Sequence, residues 1–453
     1  MPDYLNHIVD YVCQCKYDDL PPEVTKRGKE IIADTIACIA LGVQEQEIKA
    51  LIGKLTSSGT AEVATVIGAG LRTEPSKAAL INGTAGVALE LDEGNRYARG
   101  HPAIHVLPAV LAIAEEQKCS GKDLLTAFVL GYEIGARLGI ACKLRPSMHP
   151  HGIWGTVGAA VAVGKLMSYN KQAMREVLNV ISSLTLATSA QTMLQGGTVR
   201  NVYSGVSGFM GVLAHDLVKS GFTGEIDGLG SVFGSVVSDT FSPEVMTKDL
   251  GSRYEIMRNY FKRYACIRAI HATLDALSAI ISQVPEGRLR PDDVSQVEVK
   301  TYSMATQFSD QNPPNEFAAK FSIPFSVATF IFHGHAGISS FRREAVANPR
   351  IRALAQKVTV EEAPSFTAMM PDRRPSRIRV TMSDGKELDA ETYSNKGDPD
   401  DPYSSEELQE KYYELTDPVW GHEVATEIYS NVMALEEKGN INQITAMIAP
   451  HGG

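Results

Sequence analysis

Apolar residues recur at helical spacing from about residue 22 to about residue 220. Pro22 stands at a first-turn position, isoleucines follow along one face, and Gly42 closes the segment. Four further helical segments are rich in alanine and glycine: 78–89, 108–116, 124–138 and 155–167. Because small residues let helix axes approach closely, this pattern predicts a bundle whose central helices are buried on all sides.

After about residue 290 the pattern changes to the alternation that is typical of strands. Apolar and polar residues alternate over 297–301 and 358–360, and 378–382 runs into the sequence Ser-Asp-Gly-Lys, a hairpin turn signal. A helical segment at 325–332 is interleaved with these strands. The second part of the chain is therefore predicted to form a smaller α+β unit.

The complete pattern predicts a mainly α protein with two domains. A turn-rich linker at 395–402 precedes Ser404, which caps a final helical stretch whose first turn is acidic. We assign that stretch to the helical domain, which then consists of residues 1–265 and 400–453 and is discontinuous. Residues 266–399 form the α+β domain between them.

Composition and charge exclude several classes of partner. The 453 residues are 44% hydrophobic and 21% charged, which is typical of globular proteins. A formal net charge of −10 argues against nucleic acid and anionic membranes as partners. No uninterrupted apolar run approaches the roughly 18 residues of a membrane span. An acidic protein that binds an anionic substrate needs a local cluster of basic side chains.

Cysteine usage and the N-terminus indicate the cytoplasm. The six cysteines are scattered, as is usual for reduced thiols, and the pair Cys13 and Cys15 falls in an amphipathic segment where packing is the simpler interpretation. The first residues show no basic and apolar signal pattern. We therefore expect a cytoplasmic protein.

Acidic and basic side chains crowd the predicted junction between two helices. They are Glu90, Asp92, Glu93, Arg96, Arg99 and His101, and Pro102 then starts the next helix. A loop between buried helices would hold carboxylates, a base and cations within a few residues of one another. The alternative is a solvated interhelical turn with ordinary capping charges.

Two further segments carry candidate anion ligands. His149 and His151 precede a glycine-rich helix, whose N-terminal amides favour anions, although packed loop histidines are the alternative. They lack a convincing third partner for zinc. Arg200 follows a glycine pair, and its planar guanidinium can hold a carboxylate at two points, unless it is only a surface charge. Both nucleotide-binding glycine patterns are absent there.

Two candidates lie near the predicted domain junction. His271 belongs to the segment that begins at Tyr264, and Lys320 belongs to the sequence Ala-Lys-Phe-Ser-Ile-Pro-Phe. Substrate crevices commonly form where domains meet, so both side chains are candidate anion ligands. Each is a weak signal on its own.

Taken together, these segments resemble the MmgE/PrpD family over nearly the whole chain. The resemblance is carried by Leu-Glu-Leu-Asp-Glu with Arg-Gly-His-Pro, Gly-Tyr-Glu-Ile-Gly-Ala-Arg, the histidine-proline segment at 149, the loop at 200, Tyr-x-Cys with His271, the Ala-Lys-Phe-Ser segment, and Lys-Gly-Asp-Pro. It implies a helical domain formed by both chain ends, an inserted α+β lid, and usually a homodimer. It also implies a site between the domains that needs no metal or other cofactor.

The resemblance assigns candidate site residues by position. Glu90 and Asp92 match acidic site residues, His101 and His149 match the two family histidines, and His271 and Lys320 match residues around the crevice. Four positions depart from the family pattern: Arg200 stands where lysine is usual, Tyr203 where histidine is usual, His151 where a small hydroxyl or proline is usual, and Phe325 where the decarboxylases tend to have tyrosine.

These residues suggest proton abstraction alpha to a carboxylate of a small di- or tricarboxylate substrate. Arg200, with Arg99 and Lys320 as further candidates, would bind substrate carboxylates, and His101 or His149 would take the proton. The other histidine, or Tyr203, would protonate a leaving hydroxide or return the proton. A dehydratase acting on a 2-methylcitrate-like acid ranks first. An epimerase of an iminodisuccinate-like diacid, a cis-aconitate-type decarboxylase and a non-catalytic polycarboxylate-binding protein remain open.

Overall fold

The computed structural model describes residues 3–57 and 61–449, and helices dominate this part of the chain. Up to residue 250 the helices are α1 (Tyr4–Gln14), α2 (Pro22–Gly42), α3 (Gln46–Leu55), α4 (Pro75–Gly86), α5 (Pro102–Glu116), α6 (Gly121–Ala141), α7 (Trp154–Leu166), α8 (Lys171–Ser182), α9 (Ala190–Leu194), α10 (Val202–Lys219), α11 (Gly228–Ser231) and α12 (Pro243–Thr247). The predicted mainly α fold is confirmed.

The remaining helices are α13 (Arg268–Gln283), α14 (Ser303–Thr306), α15 (Glu316–Ala319), α16 (Ile323–His333), α17 (Arg343–Ala347), α18 (Pro349–Ala355), α19 (Pro364–Thr367), α20 (Ser405–Trp420), α21 (His422–Met433) and α22 (Asn442–Ile448). The strands are β1 (Ala64–Val66), β2 (Leu71–Thr73), β3 (Gly94–Asn95), β4 (Cys142–Leu144), β5 (Ser238–Phe241), β6 (Asn259–Tyr260), β7 (Val294–Thr301), β8 (Val358–Glu362), β9 (Ser376–Met382) and β10 (Glu387–Thr392).

Proline and glycine signals set the ends of the long helices. Helix α2 begins at Pro22 and ends at Gly42, as the sequence predicts. Helix α4 ends at Gly86, three residues before the end expected from the apolar pattern, so the acidic run lies wholly in the following loop. This early end matters for the site, because it frees the backbone that carries the carboxylates from helical geometry.

Glycines in the central helices allow their backbones to touch. A Cβ atom on Gly205 of α10 would lie 2.2 Å from the carbonyl oxygen of Leu80 in α4. A Cβ atom on Gly131 of α6 would lie 2.6 Å from the carbonyl oxygen of Gly158 in α7. The expectation of close helix packing is therefore confirmed for α4, α6 and α7. Helix α10, which was not among the predicted small-residue segments, packs equally closely on α4, so the residues just before α10 lie beside the loop after α4.

Helix α6 has the length and apolar composition of a membrane span. However, 94% of its most apolar window is buried inside the protein. It also carries a buried ion pair, in which Arg137 Nε lies 2.6 Å from Glu133 Oε1. Because the apolar surface of α6 is covered by neighbouring helices, its packing is that of a core helix.

The second part of the chain contains one four-stranded sheet of order β10-β9-β7-β8. Strands β9 and β10 form the predicted hairpin, with Thr381 opposite Glu387, and β7 pairs with β8 in parallel. Helix α13 packs on β9 and β10, whereas the late helix α20 packs on α2. The exact domain boundaries, 1–265 with 400–453 and 266–399, stay a prediction.

Candidate active site

The loop after α4 carries three buried carboxylates. Glu90 has a φ of 57°, a left-handed conformation that is uncommon for a residue with a side chain. Glu90, Asp92 and Glu93 are each at most 1% exposed. Such a strained, charged and buried loop persists only when its surroundings hold it, and it is typical of functional sites.

Glu93 differs from the other two carboxylates in its partners. Its Oε1 accepts a hydrogen bond from the Ala103 backbone N–H at 2.8 Å, and its Oε2 accepts one from the Tyr132 hydroxyl at 3.2 Å. Burial raises the pKa of Glu93 well above its usual value. Its contacts fix the first turn of α5, so Glu93 supports the loop rather than the chemistry.

Glu90 and Asp92 are paired with two buried cations. Arg200 Nη1 lies 2.5 Å from Glu90 Oε1, and Lys262 Nζ lies 2.9 Å from Glu90 Oε2 and 3.5 Å from Asp92 Oδ1. Burial alone would raise the pKa of Glu90, but Arg200 and Lys262 outweigh it and hold that pKa below its usual value. Burial would likewise lower the pKa of Lys262, but Glu90 and Asp92 raise it. Glu90 and Lys262 are therefore both ionised at neutral pH.

Lys262 is a site residue that the sequence analysis missed. Strands β3 and β6 pair Gly94 with Tyr260, which brings the chain after β6 against the acidic loop. The signal was present, because Lys262 stands only two residues before Tyr264, where the candidate segment was taken to begin. A fully buried lysine is rarely without a counter-ion, but the sequence does not show that Lys262 is buried.

His101 forms an imidazole–carboxylate pair with Asp92. Its Nδ1 lies 2.8 Å from Asp92 Oδ2 and 2.6 Å from the carbonyl oxygen of Glu93, directly before Pro102 starts α5. Two acceptors at Nδ1 place the proton there, so Nε2 is the nitrogen with a free lone pair. Burial alone would raise the pKa of Asp92, but His101 and Lys262 lower it strongly. The arrangement is suited to a general base oriented by a carboxylate.

His101 belongs to a cluster of four buried imidazoles. The ring of His151 lies 5.0 Å from that of His101, 4.7 Å from that of His149 and 4.9 Å from that of His105, between ring centroids. His105 was not predicted, although it stands one helical turn after His101. It fits because Gly155 opposes it, where a Cβ atom would lie 2.4 Å from the His105 ring.

Three of these histidines are neutral at physiological pH. Burial, followed by the charge of Arg200, lowers the pKa of His149 and of His151 well below the usual value. Burial, followed by His101, lowers the pKa of His105 to about 3. Neither ring nitrogen of His105 has a hydrogen-bond partner. A neutral imidazole can donate one proton and accept another, but it adds no positive charge to the site.

His149 has a defined orientation. Its Nδ1 accepts a hydrogen bond from the His151 backbone N–H at 3.1 Å, and its Nε2 accepts one from Arg200 Nε at 3.4 Å. The ring lies 5.9 Å from the ring of Tyr203. Both ring nitrogens of His149 thus face N–H donors, whereas Nδ1 of His101 faces two acceptors. The Tyr203 hydroxyl itself donates to Thr192 Oγ1 at 3.1 Å.

Lys320 approaches the same loop from the α+β part. Its Nζ donates a hydrogen bond to the carbonyl oxygen of Ala88 at 2.8 Å, two residues before Glu90. Burial lowers the pKa of Lys320 to about 8. The residue also lines a cleft of about 900 Å³, together with Thr84, Ala88 and Asn201. The buried cluster and the open cleft therefore meet at Lys320.

The structure does not bring two of the predicted residues into this cluster. Arg99 is exposed and has a φ of 58°. His271 is buried, but its Nδ1 lies 3.0 Å from Arg268 Nη1 and its Nε2 lies 3.3 Å from the Cys266 carbonyl oxygen. Both nitrogens of His271 are therefore engaged within the protein. The other eight predicted residues lie in or beside the cluster: Glu90, Asp92, His101, His149, His151, Arg200, Tyr203 and Lys320. Their roles stay predictions.

Over residues 3–57 and 61–449, no group of three or more His, Cys, Asp or Glu side chains has the arrangement of a metal site. The imidazoles of the cluster meet edge to face rather than around a common point. The cluster places a histidine–carboxylate pair beside paired cations, neutral imidazoles and a lysine.

Both parts of the chain match models of one family. Residues 6–237 match the MmgE/PrpD N-terminal domain, and residues 264–436 match the MmgE/PrpD C-terminal domain. The protein therefore belongs to the MmgE/PrpD family, as its motifs predicted. Lys262 lies between the two matched ranges, which is one reason why motifs taken from either part do not include it.

Similar proteins are named as decarboxylases and a dehydratase. Cis-aconitate decarboxylase of Aspergillus terreus is 25% identical, covering 95% of this chain and 93% of that protein. The Homo sapiens cis-aconitate decarboxylase is 26% identical, covering 96% and 92%. The mitochondrial 2-methylcitrate dehydratase of Yarrowia lipolytica is 22% identical, covering 84% and 77%. Both activities are lyase activities, which supports a lyase-type enzyme here.

Proposed function

We propose that this protein is a lyase that removes a proton alpha to a carboxylate of a small di- or tricarboxylic acid, with His101 as the base. The observation that carries the proposal is the contact between His101 Nδ1 and Asp92 Oδ2 at 2.8 Å. An ionised Asp92 fixes the tautomer that leaves Nε2 basic and stabilises the imidazolium formed when the proton arrives. His149, whose Nδ1 already accepts a hydrogen bond, is less suited to this role.

Charge that develops on the substrate carboxylate would be stabilised by the neighbouring cations. Removal of an alpha proton gathers negative charge on the carboxylate oxygens, and positive groups held in a dry site lower that barrier. Lys262 and Arg200 are buried, and an arginine keeps its charge, so Arg200 acts electrostatically rather than as a proton donor. Because Glu90 pairs with both cations, it moderates the field that they exert.

Dehydration of a 2-methylcitrate-like hydroxy acid is the reaction we rank first. After His101 takes the proton, His149 or Tyr203 would protonate the departing hydroxide, which leaves as water. Return of a proton by His149 or Tyr203 to the opposite face of the same carbon would instead give an epimerase. A non-catalytic polycarboxylate-binding protein would use the same cations without proton transfer.

Decarboxylation is the second candidate, and the similarity to cis-aconitate decarboxylases of two organisms favours it. Against it stands Phe325, which is buried, packs 6.2 Å from the ring of Phe341 and offers no hydroxyl donor. We also propose that the protein works without a cofactor, as a homodimer in the cytoplasm, as its family resemblance implies. With a net charge of −10, neither nucleic acid nor a membrane is a proposed partner.

Exchange of carbon-bound hydrogen tests the proposal directly. The purified protein is incubated in deuterated water with 2-methylcitrate, citrate, cis-aconitate or iminodisuccinate, and NMR follows deuterium at carbon, loss of water and release of carbon dioxide. We expect deuterium incorporation or alkene formation with one of these acids. Carbon dioxide release from cis-aconitate without dehydration of the hydroxy acids would establish the decarboxylase instead.

Variants then identify the base. His101→Ala should abolish exchange, and Asp92→Asn should reduce it by roughly a thousandfold or more, because the imidazole loses the partner that fixes its tautomer. His422→Asn is the matched control, since His422 is exposed on α21 and outside the cluster. Exchange at the normal rate in His101→Ala would exclude His101 as the base.

A further inference from the structure

We propose that Lys320 is the primary anchor of the substrate, and that the buried site holds one substrate carboxylate there. The inference deepens the proposed function, on which it rests, because it assigns the carboxylate-binding group and the number of carboxylates that the site holds. The sequence alone favours Arg200 over Lys320 for this task. The geometry reverses that order.

The first step is the pairing of the buried cations. Arg200 and Lys262 contact Glu90 Oε1 and Oε2 at 2.5 and 2.9 Å, so their charges are already opposed by protein carboxylates. A substrate carboxylate that takes Arg200 must leave Glu90 buried with one partner fewer. Leaving a buried charge unpaired is strongly unfavourable, so Arg200 is a poor anchor for an incoming anion.

Lys320 is in a different position. Only 7% of its surface is exposed, and its ammonium group donates to the Ala88 carbonyl but makes no ion pair within the part of the chain that the structure describes. An ammonium group has three donors, so two N–H groups remain for a ligand. A buried cation without a counter-ion is unfavourable by itself and gains most when an anion arrives.

The charges of the cluster and of the cleft set the number of carboxylates. Glu90 and Asp92 pair with Arg200, Lys262 and His101, whereas Lys320 has no carboxylate partner among the described residues. The cleft that leads to Lys320 is lined by four glutamates and two arginines, namely Glu45, Glu47, Glu316, Glu344, Arg342 and Arg343. Apart from Lys320, this rim carries no net positive charge that would hold further carboxylates. One carboxylate at Lys320 is therefore sufficient for binding.

The pH dependence of binding should follow Lys320. Burial lowers its pKa to about 8, while Glu90, Glu45 and Glu316 act to raise that pKa and Arg342 acts to lower it. Lys320 is charged below this pKa, so an anion binds well near neutral pH. Binding weakens as the pH rises above about 8, because the anchor loses its proton, whereas ordinary lysines with a pKa near 10.4 are still charged.

Three molecules of nearly the same shape test the inference: succinate with two carboxylates, succinamate with one, and succinamide with none. Isothermal titration calorimetry near pH 7 should give affinities for succinate and succinamate within about threefold of each other. Succinamide should bind at least about tenfold more weakly, a difference of about 1.4 kcal/mol. Lys320→Met should weaken the binding of both acids at least tenfold. Arg343→Met, which removes an exposed charge from the same cleft, should change their affinities less than twofold.

The wild-type protein gives an independent measurement if Lys320→Met does not fold. Succinamate stays ionised from about pH 7 to about pH 9.5, so a fall in its affinity over that range reports the anchor. The inference would be overturned if folded Lys320→Met bound both acids as tightly as the wild-type protein does. It would also be overturned if the wild-type protein bound succinate more than tenfold tighter than succinamate. These probes need no proton abstraction, so their binding is measured without turnover. A failure of the proposed chemistry and a failure of the anchor therefore appear in different experiments.

Discussion

At the scale of single residues, neighbours decide what each histidine can do. His101 and His149 are both buried and both stand near the start of a helix. Asp92 places the proton of His101 on Nδ1, whereas the His151 backbone N–H makes His149 Nδ1 an acceptor. Two imidazoles of the same type thus stand in opposite surroundings: His101 Nδ1 faces acceptors, whereas both ring nitrogens of His149 face N–H donors.

The neutral histidines predict how stability depends on pH. Burial holds the pKa of His105 at about 3 and lowers that of His149 and His151, so these rings stay neutral in the folded protein while the unfolded chain binds protons below about pH 6.5. Unfolding therefore takes up protons, and stability is lost as the pH falls from about 6.5, by up to about 1.4 kcal/mol per pH unit for each ring.

Urea denaturation between about pH 6.5 and pH 5 measures this slope. His105→Leu removes one of the three rings. The free energy of unfolding of this variant should therefore change less steeply with pH, by a slope that corresponds to about one proton. His422→Leu, at an exposed position, should keep the wild-type slope. An unchanged slope in His105→Leu would contradict a neutral, buried His105.

At the scale of elements, the crossing of α4 and α10 positions the site. A Cβ atom on Gly83 would lie 2.8 Å from the Cα of Gly205, so neither helix tolerates a side chain at the crossing. The turn that carries Arg200 leads directly into α10, and the loop that carries Glu90 follows α4. The contact of these two helices therefore sets the distance between the guanidinium and the carboxylate.

Gly205→Ala should separate the two helices. The new methyl group meets the Leu80 carbonyl oxygen at 2.2 Å, so the backbone must shift, at a cost of about 1–3 kcal/mol in the free energy of unfolding. Activity should fall as well, because the Arg200 turn moves with α10. Gly53→Ala is the matched control: a Cβ there meets nothing within 4 Å in α3, so it should be neutral or stabilise by up to about 1 kcal/mol. Chemical denaturation of both variants checks the contrast.

At the scale of the whole molecule, the site is assembled from segments far apart in the chain. Glu90 and His101 lie in the N-terminal family domain, Lys320 lies in the C-terminal one, and Lys262 lies between the two matched ranges. The cleft that reaches Lys320 is spanned by an ion pair in which Arg342 Nη1 and Nη2 each lie 2.6 Å from an oxygen of Glu45. This pair joins the two family domains beside the entrance.

A double-mutant cycle on Glu45→Gln and Arg342→Met should reveal a modest coupling. Both side chains are partly exposed, so about 0.2–1 kcal/mol is expected at low salt. The coupling should shrink at about 1 M salt, where screening acts over about 3 Å. A coupling that is zero at low salt would mean that the contact does not hold the two family domains together at the cleft.

Much of the fold could be predicted from the sequence because its signals are local. Pro22 and Gly42 mark the ends of α2, the turn at 383–386 marks the hairpin of β9 and β10, and Ser404 caps α20. These features depend on backbone preferences and on hydrogen bonds between near neighbours. The short ladder between β3 and β6 was not predicted, because it joins residues 94–95 to 259–260 and neither strand has a pattern of its own.

By itself, the sequence determined the helical class, the family and most of the residues that meet in the cluster, since motifs and periodicity are properties of neighbouring positions. The tertiary structure decided which of those charges are already paired. Glu90 neutralises Arg200, Lys262 enters through the β3–β6 ladder, Arg99 stays in solvent, and Lys320 is left without a counter-ion. Electrostatic roles depend on distance and burial, and both arise only when remote segments pack together.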